Sequence, residues 1–267
     1  MTASLKAKIE SLCSDGRGLG NIGSKRILVS QAYPGEEVIF QIDRKMRNGF
    51  EGRVKRFIRK NSDRVKHSCA HEFSCTGCPL LSSTLDKEKD FKLSKLREIL
   101  ESIGIGDLYH DLEYKRPTGT FGYRHYAKQV FGVEKGRVVL GSFVSGTNSV
   151  VDNENCPILV PGLQDFLSKL VQKVRKARIR VHSSKEPGLR YAVARQSWLT
   201  GKIVLVLSTS DSEHGGQYHP IERLINELLQ EDSSLDGVLF LFNDDSGNSL
   251  LRGEVIREFG TTILVDR

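Results

Sequence analysis

The chain has 267 residues, of which 38% are hydrophobic and 27% are charged. This composition predicts folded cores in about two domains and excludes a disordered or fibrous protein. The formal net charge is +7, and the excess is concentrated: residues 1–66 hold 15 Lys and Arg against 7 Asp and Glu, whereas the remainder holds 25 against 26. A concentrated basic region is typical of a protein that meets phosphates, although a merely solvated surface is the alternative.

The amino-terminal residues contain no apolar stretch of signal-peptide length, and no later segment approaches the roughly 18 apolar residues that a membrane span needs. The five cysteines are an odd number, which argues against a disulfide framework and for reduced thiols. We therefore expect a cytoplasmic protein with no membrane partner.

Residues 7–59 consist of short apolar runs separated by Gly-rich turns. Pro34–Gly35 favours a tight turn, and Asn48–Gly49 is a strong hairpin signal between two strand-like runs. Short strands with turns at this density predict a small closed barrel.

The last run of this region, NGFEGRVKRFIRK, places aromatic residues among cationic ones. Such a segment combines neutralisation of phosphates with rings on which bases can stack. Strand alternation predicts that Val54, Arg56 and Ile58 share one face and that Phe57 lies on the charged face. The alternative is that the two Phe rings close the end of the barrel. The candidate RNA contacts here are Phe50, Arg53, Lys55, Arg56, Phe57, Arg59 and Lys60.

A cysteine-bearing loop follows, with Cys69, Cys75 and Cys78 in the pattern C-x5-C-x2-C. Three thiolates from one loop leave one ligand to be recruited from afar, and Cys156, followed by a proline, is the candidate. An iron–sulfur cluster suits this pattern, zinc is an alternative that could also use His67 or His71, and unrelated buried cysteines are a third possibility. Cys13 lies in an apolar context and is expected to be a small core residue.

Helical spacing of apolar residues predicts helices over 84–103, 161–177 and about 220–230. Gly104 suits a carboxy-terminal cap of the first helix, and Pro161 suits the first turn of the second. Strand-like runs alternate with these helices after residue 110, which predicts an α/β or α+β domain. The glycines at 16, 18 and 20 resemble a nucleotide-binding turn only superficially, because they lead into a strand rather than a helix.

Three motifs in one order make a family resemblance specific: DGRGLG…ILVSQAYPGEEV, C-x5-C-x2-C with a distant Cys-Pro, and GYRHYAK…LGSFVSGTNSVVDNENCPI. Together they resemble the RNA uracil-C5 methyltransferases that carry an amino-terminal TRAM domain and a [4Fe–4S] cluster. The resemblance covers essentially the whole chain.

The resemblance implies a five-stranded, OB-like, RNA-binding TRAM barrel over residues 1–60, followed by a cluster-bearing α+β central domain over 61–267. It implies a [4Fe–4S] cluster bound by Cys69, Cys75, Cys78 and Cys156. It also implies RNA contacts from Tyr123, Arg124 and Lys128, in a block similar to the family's Tyr-Arg-x-x-Ala. His125 and Tyr126 depart from the polar or basic residues common at those positions.

In this family a further domain binds S-adenosylmethionine and supplies the nucleophilic cysteine and the base. The sequence contains no cysteine beyond Cys156, so we expect no catalytic residues and no methyl transfer by this chain alone. The resemblance leaves open a fragment, a separately encoded half or a truncated relative. Ribosomal RNA is expected ahead of transfer RNA as the partner, and a non-enzymatic RNA-binding protein with an iron–sulfur or zinc site is the alternative function.

Overall fold

The computed structural model describes residues 3–75, 77–116, 119–144, 147–212, 215–245 and 251–266. The chain divides into two compact units: an amino-terminal unit of Met1–Pro117 with Ser145–Thr147, and a carboxy-terminal unit of Thr118–Val144 with Asn148–Arg267. Within the described ranges, no helix is both long enough and apolar enough to cross a membrane.

The amino-terminal unit contains a mixed sheet whose described strands are β1 (Ser4–Lys8), β2 (Ser11–Leu12), β3 (Gly18–Ile22), β4 (Lys25–Ser30), β5 (Glu37–Met46) and β6 (Gly49–Arg59). They lie in the order β1-β5-β6-β4-β3-β2, with β4 and β6 parallel and the other neighbours antiparallel. Val38 and Phe40 alternate inward from β5 and pack with Ile27 and Val29 of β4. Gly49 begins β6 where a Cβ would overlap the carbonyl oxygen of Arg26, so only glycine permits this close approach of β4 and β6.

The fold class predicted from the sequence, a small OB-like all-β barrel followed by an α+β domain, is wrong. The first sheet is mixed, has six described strands and belongs to a unit that continues beyond it to residue 117. Turn signals and alternation locate strands, but they do not specify that β4 becomes a parallel neighbour of β6. The functional division into residues 1–60 and 61–267 remains a prediction.

After the first sheet, the amino-terminal unit contains α1 (Leu85–Ser102) and a short 3₁₀ helix (Gly106–Asp111). The Thr84 side chain caps α1 by accepting a hydrogen bond from the Lys87 backbone N–H at 3.3 Å. Gly104 follows the helix with φ +78°, the left-handed conformation expected of a terminating glycine. The predicted helix is therefore confirmed, and none of its described residues is buried.

The described part of the carboxy-terminal unit contains β7 (Tyr126–Glu134), β8 (Arg137–Phe143), β9 (Val150–Asp152), α2 (Pro161–Lys176), β10 (Leu189–Gln196), β11 (Ile203–Thr209), α3 (Tyr218–Glu231), β12 (Leu235–Phe242) and β13 (Glu254–Gly260). The strand order is β13-β12-β11-β10-β7-β8-β9. The β11–β12 pair is parallel, because α3 forms the crossover that a parallel pair requires. The other pairs are antiparallel.

Two amphipathic helices supply much of the core of this unit. The predicted second helix is confirmed as α2, with Pro161 at its start, and the third is confirmed as α3. The predicted apolar face of α2 is buried, and its buried side chains are Leu163, Phe166, Leu167, Leu170, Val171 and Val174. These side chains pack with those of α3 and the sheet in one hydrophobic cluster.

Candidate nucleic-acid interface and cysteine loop

The basic segment predicted to contact RNA forms β6, and a β-bulge changes which of its side chains face the core. Two consecutive residues of β5 pair with Val54 and Arg56, so Lys55 is an extra residue between them. An extra residue reverses the alternation beyond it. Phe57 accordingly packs against the same core as Val54, whereas Ile58 is 43% exposed. The predicted alternation is wrong beyond the bulge.

The Phe57 ring is surrounded by an aromatic residue and two cations. The ring of Phe73, from the cysteine loop, meets it edge-on with centroids 6.0 Å apart. The Arg64 guanidinium and the Lys60 ammonium lie 4.6 Å and 5.0 Å from its centroid. Phe50 also packs against the core. The rings of Phe50 and Phe57, the two predicted stacking residues, are therefore partly covered by other side chains. Phe73, which was not predicted from the sequence, is 42% exposed and is the more accessible ring.

The cationic side chains of β6 divide into a structural one and exposed ones. Arg53 lies 3.5 Å from Asp43, whose side chain is 5% exposed. Burial raises the pKa of Asp43, and the charge of Arg53 partly offsets this. Arg59 donates to a backbone carbonyl at 3.0 Å but remains 58% exposed. Lys55 and Arg56 are exposed and form no ion pair within the described residues, so they are free to meet phosphates.

The second predicted RNA-contact block belongs to the carboxy-terminal unit. Tyr123 is 49% exposed, and the backbone N–H of Arg124 donates to the carbonyl of Ile158 at 2.8 Å. Lys128 is exposed on β7, with its ammonium 5.3 Å from the centroid of Tyr126. This block therefore offers an aromatic ring and a cation, but the two predicted RNA surfaces lie in separate compact units.

Three of the four predicted cluster ligands lie in the loop between β6 and α1. Cys69, Cys75 and Cys78 are half-buried there. The backbone N–H of His71 points to the sulfur of Cys69, and that of Gly77 to the sulfur of Cys75, each at 3.4 Å. Backbone donors of this kind stabilise negative charge on sulfur and are among the features that tune iron–sulfur sites.

Cys156, the fourth predicted ligand, belongs to the carboxy-terminal unit, where it packs against the hydrophobic core. Its backbone N–H donates to the carbonyl of Asn153 at 3.2 Å. The described residues contain no group of three or more His, Cys, Asp or Glu arranged to hold a metal ion. The cluster ligands therefore remain a prediction from spacing.

A buried ion pair, absent from the sequence-based predictions, connects the first sheet to the cysteine loop. Glu36, immediately before β5, is fully buried. Its carboxylate accepts hydrogen bonds from the Arg64 guanidinium at 2.6 and 3.0 Å and from the backbone N–H groups of Tyr33 and Asn61 at 2.8 and 3.0 Å. Arg64 also donates to the carbonyl of Gln31 at 2.6 Å. Both charged groups therefore have hydrogen-bond partners in addition to each other, which a stable buried ion pair requires.

The ion pair extends into a polar network within the loop. Arg64 contacts Glu72 at 3.0 Å, and Glu72 accepts from the hydroxyl of Ser82 and lies 3.1 Å from His67. The His67 ring nitrogen lies 3.2 Å from the backbone N–H of Cys69. A continuous chain of polar contacts therefore runs from the sheet to a predicted cluster ligand.

Tyr33 and Gln31 form hydrogen bonds with the carboxy-terminal part of the same loop. The Tyr33 hydroxyl donates to the carbonyl of Pro79 at 3.2 Å, and Gln31 donates to the carbonyl of Cys78 at 3.1 Å. Burial raises the pKa of Tyr33 to about 12. Burial alone would lower the pKa of Arg64, but the hydrogen bonds and charge of Glu36 raise it above its ordinary value. Arg64 is therefore charged in the folded protein at neutral pH.

We expect Arg64→Met to lower the free energy of unfolding by about 3–5 kcal/mol, because the substitution leaves Glu36 buried without its counter-charge. Urea denaturation measures this difference. Arg44→Met is the matched control: Arg44 pairs with Glu51 but is 67% exposed, so its loss should cost at most about 1 kcal/mol. Equal effects of the two substitutions would contradict the importance of the buried pair.

The proteins whose sequences are similar to this chain include RNA methyltransferases. No protein-family model matches the chain. An uncharacterized RNA methyltransferase of Clostridium tetani is 26% identical over 260 residues, which are 97% of this chain and 55% of that protein. A 23S rRNA (uracil(1939)-C(5))-methyltransferase of Halomonas elongata is 32% identical over 176 residues, which are 65% of this chain and 36% of that protein.

Among solved structures, the Pyrococcus abyssi tRNA (uracil-54, C5)-methyltransferase in complex with S-adenosyl-L-homocysteine superimposes with a TM-score of 0.67 and 21% identity. The match covers 98% of this chain and 57% of that one. At this identity the match establishes the fold, which follows that of a methyltransferase throughout this chain. The chain spans about half the length of the curated relatives that it matches, and those relatives are RNA methyltransferases.

Proposed function

We propose that this chain is the RNA-recognition part of an RNA uracil-C5 methyltransferase. The observation that carries the proposal is the strip of exposed cations along the end of β6, in a chain whose relatives are RNA methyltransferases. The strip consists of Lys55, Arg56, Arg59 and Lys60. It lies in the quarter of the sequence that carries the entire positive excess.

The strip suits a phosphate backbone better than a protein partner. Lys55 and Arg56 are exposed on adjacent positions created by the bulge, and the Lys60 ammonium lies over the Phe57 ring, 5.0 Å from its centroid. Cations on phosphates position an RNA without reading its sequence. Phe73, exposed beside Phe57, adds a ring for base stacking close to the strip.

Methyl transfer to uracil C5 requires a thiolate nucleophile, a base and S-adenosylmethionine. In this proposal residues 1–267 contribute recognition and not these groups. Incubation of the chain with labelled S-adenosylmethionine and unmodified RNA should therefore give only background incorporation. Turnover above a no-protein control would contradict this division of roles.

We also propose that Cys69, Cys75, Cys78 and Cys156 hold a [4Fe–4S] cluster. Two observations support the proposal: three half-buried thiols lie in one loop, and the sulfurs of Cys69 and Cys75 are each approached by a backbone N–H. When bound, the cluster would have a structural role by tying its four ligands to one centre. The buried network around Arg64 would hold the loop in the conformation that presents these thiols.

The cationic strip predicts the salt dependence of RNA binding. Lys55→Gln and Arg56→Gln should each weaken binding to single-stranded RNA and lower the slope of log affinity against log salt by about 0.7, because each removes one phosphate contact. Fluorescence anisotropy at several salt concentrations measures both effects. Lys185→Gln, an exposed lysine of the other unit, is the control and should change neither. Unchanged slopes in the first two variants would contradict the proposal.

The cluster proposal predicts the metal content of the protein. Anaerobically purified chain should contain about four iron and four sulfide per molecule, and Cys69→Ser should lower both. Cys13→Ser is the matched control, because Cys13 is also half-buried but lies outside the cysteine loop. Metal analysis that finds zinc and no iron in the unaltered chain would overturn the assignment.

A further inference from the structure

The amino-terminal unit contains a cavity of about 530 Å³ that the predicted RNA contacts do not include. Its walls come from the start of β2, the turn after β4, the segment that leads into the cysteine loop, and one face of α1. A volume of this size is within the range of small-molecule sites. The cavity lies within one compact unit and is lined by described residues.

The α1 wall presents an aromatic ring between two lysines. Lys87, Phe91 and Lys95 all line the cavity, and their spacing of four residues puts them on one face of the helix. Phe91 is half-buried and belongs to neither hydrophobic core. A ring of this kind, at the wall of a cavity rather than in a core, is available for stacking.

The charges of the lining argue against a phosphate as the main ligand. Lys87 lies 3.8 Å from Asp63, and Lys95 lies 2.7 Å from Glu98. Both acids line the cavity, as does Glu10, so its carboxylates outnumber its lysines and the lysines are already paired. A bare phosphate would meet this negative charge, whereas a flat neutral group that donates hydrogen bonds would find acceptors.

We propose that this cavity binds one unstacked nucleobase that carries an exocyclic amino group, from single-stranded RNA. The base stacks on Phe91, and its amino group donates to the carboxylate of Asp63, while the ribose and phosphates remain at the rim. Carboxylates accept from base amino groups such as N4 of cytosine. Uracil offers carbonyl acceptors at that edge and fits less well. The inference rests on the proposed RNA-binding function and adds a base preference to it.

The test measures the affinity of the full chain for fluorescent C10 and U10 RNA by anisotropy. The unaltered chain should bind C10 at least about fivefold more tightly than U10. Phe91→Leu, which keeps an apolar side chain but removes the ring, should weaken C10 binding at least about fivefold. Asp63→Ala should remove the preference for C10. Lys92→Gln is the control, because Lys92 lies on α1, does not line the cavity and is 52% exposed.

Thermal denaturation verifies that each variant is folded. Equal affinity of the unaltered chain for C10 and U10, or unchanged C10 binding by folded Phe91→Leu, overturns the cavity proposal while the RNA-binding function stands if Lys55→Gln still weakens binding. Failure of the unaltered chain to bind either RNA overturns both proposals. A lost preference in Asp63→Ala with normal binding by Lys92→Gln supports the assignment.

Discussion

The ion pair between Glu36 and Arg64 organises the amino-terminal unit. Glu36 is fully buried immediately before β5, and Arg64 reaches it from the start of the cysteine loop. A buried carboxylate without a partner would be strongly unfavourable, so the loop must return to the sheet at this point. The same guanidinium lies 4.3 Å from the ring centroid of Tyr33, whose hydroxyl holds the other side of the loop. One arginine therefore determines where the loop cysteines are presented.

This pair also affects the side of the unit that we propose to contact RNA. Arg64 covers one part of Phe57, and the bulge at Lys55 turns that ring toward the core. The exposed positions at the end of β6 are occupied by cationic side chains, which suit a phosphate backbone better than nucleobases. In the proposed function, base stacking would come from other rings, and Phe73, which is exposed, and Phe91, which is half-buried, are two of those in this unit.

The sequence was sufficient for features that depend on local spacing. The three helices follow from apolar residues at helical intervals, and Gly104 and Pro161 lie where their chemistry predicts. Features that depend on contacts between residues far apart in the sequence could not be predicted from it. Alternation could not reveal the bulge at Lys55, because the register is set by β5. No spacing links Glu36 with Arg64, which lie 28 positions apart.

The same limit explains the error in fold class and the exposure of the apolar positions of α1. The parallel β4–β6 pairing is a property of the folded sheet and not of either segment. The apolar positions of α1 satisfy a helical pattern, yet Ile99 is 57% exposed, since a pattern does not state what covers it. The cysteine assignment remains a prediction because it depends on spacing and resemblance, while the described residues contain no group arranged for a metal ion.

We propose that RNA recognition lies in the amino-terminal unit. Hydrogen–deuterium exchange of the full chain, with and without saturating single-stranded RNA, tests this location, because protection is read segment by segment. Bound RNA should protect β6 (Gly49–Arg59) and the neighbouring cysteine loop and should leave α2 unchanged. Protection confined to the carboxy-terminal unit, around residues 123–128, would contradict it.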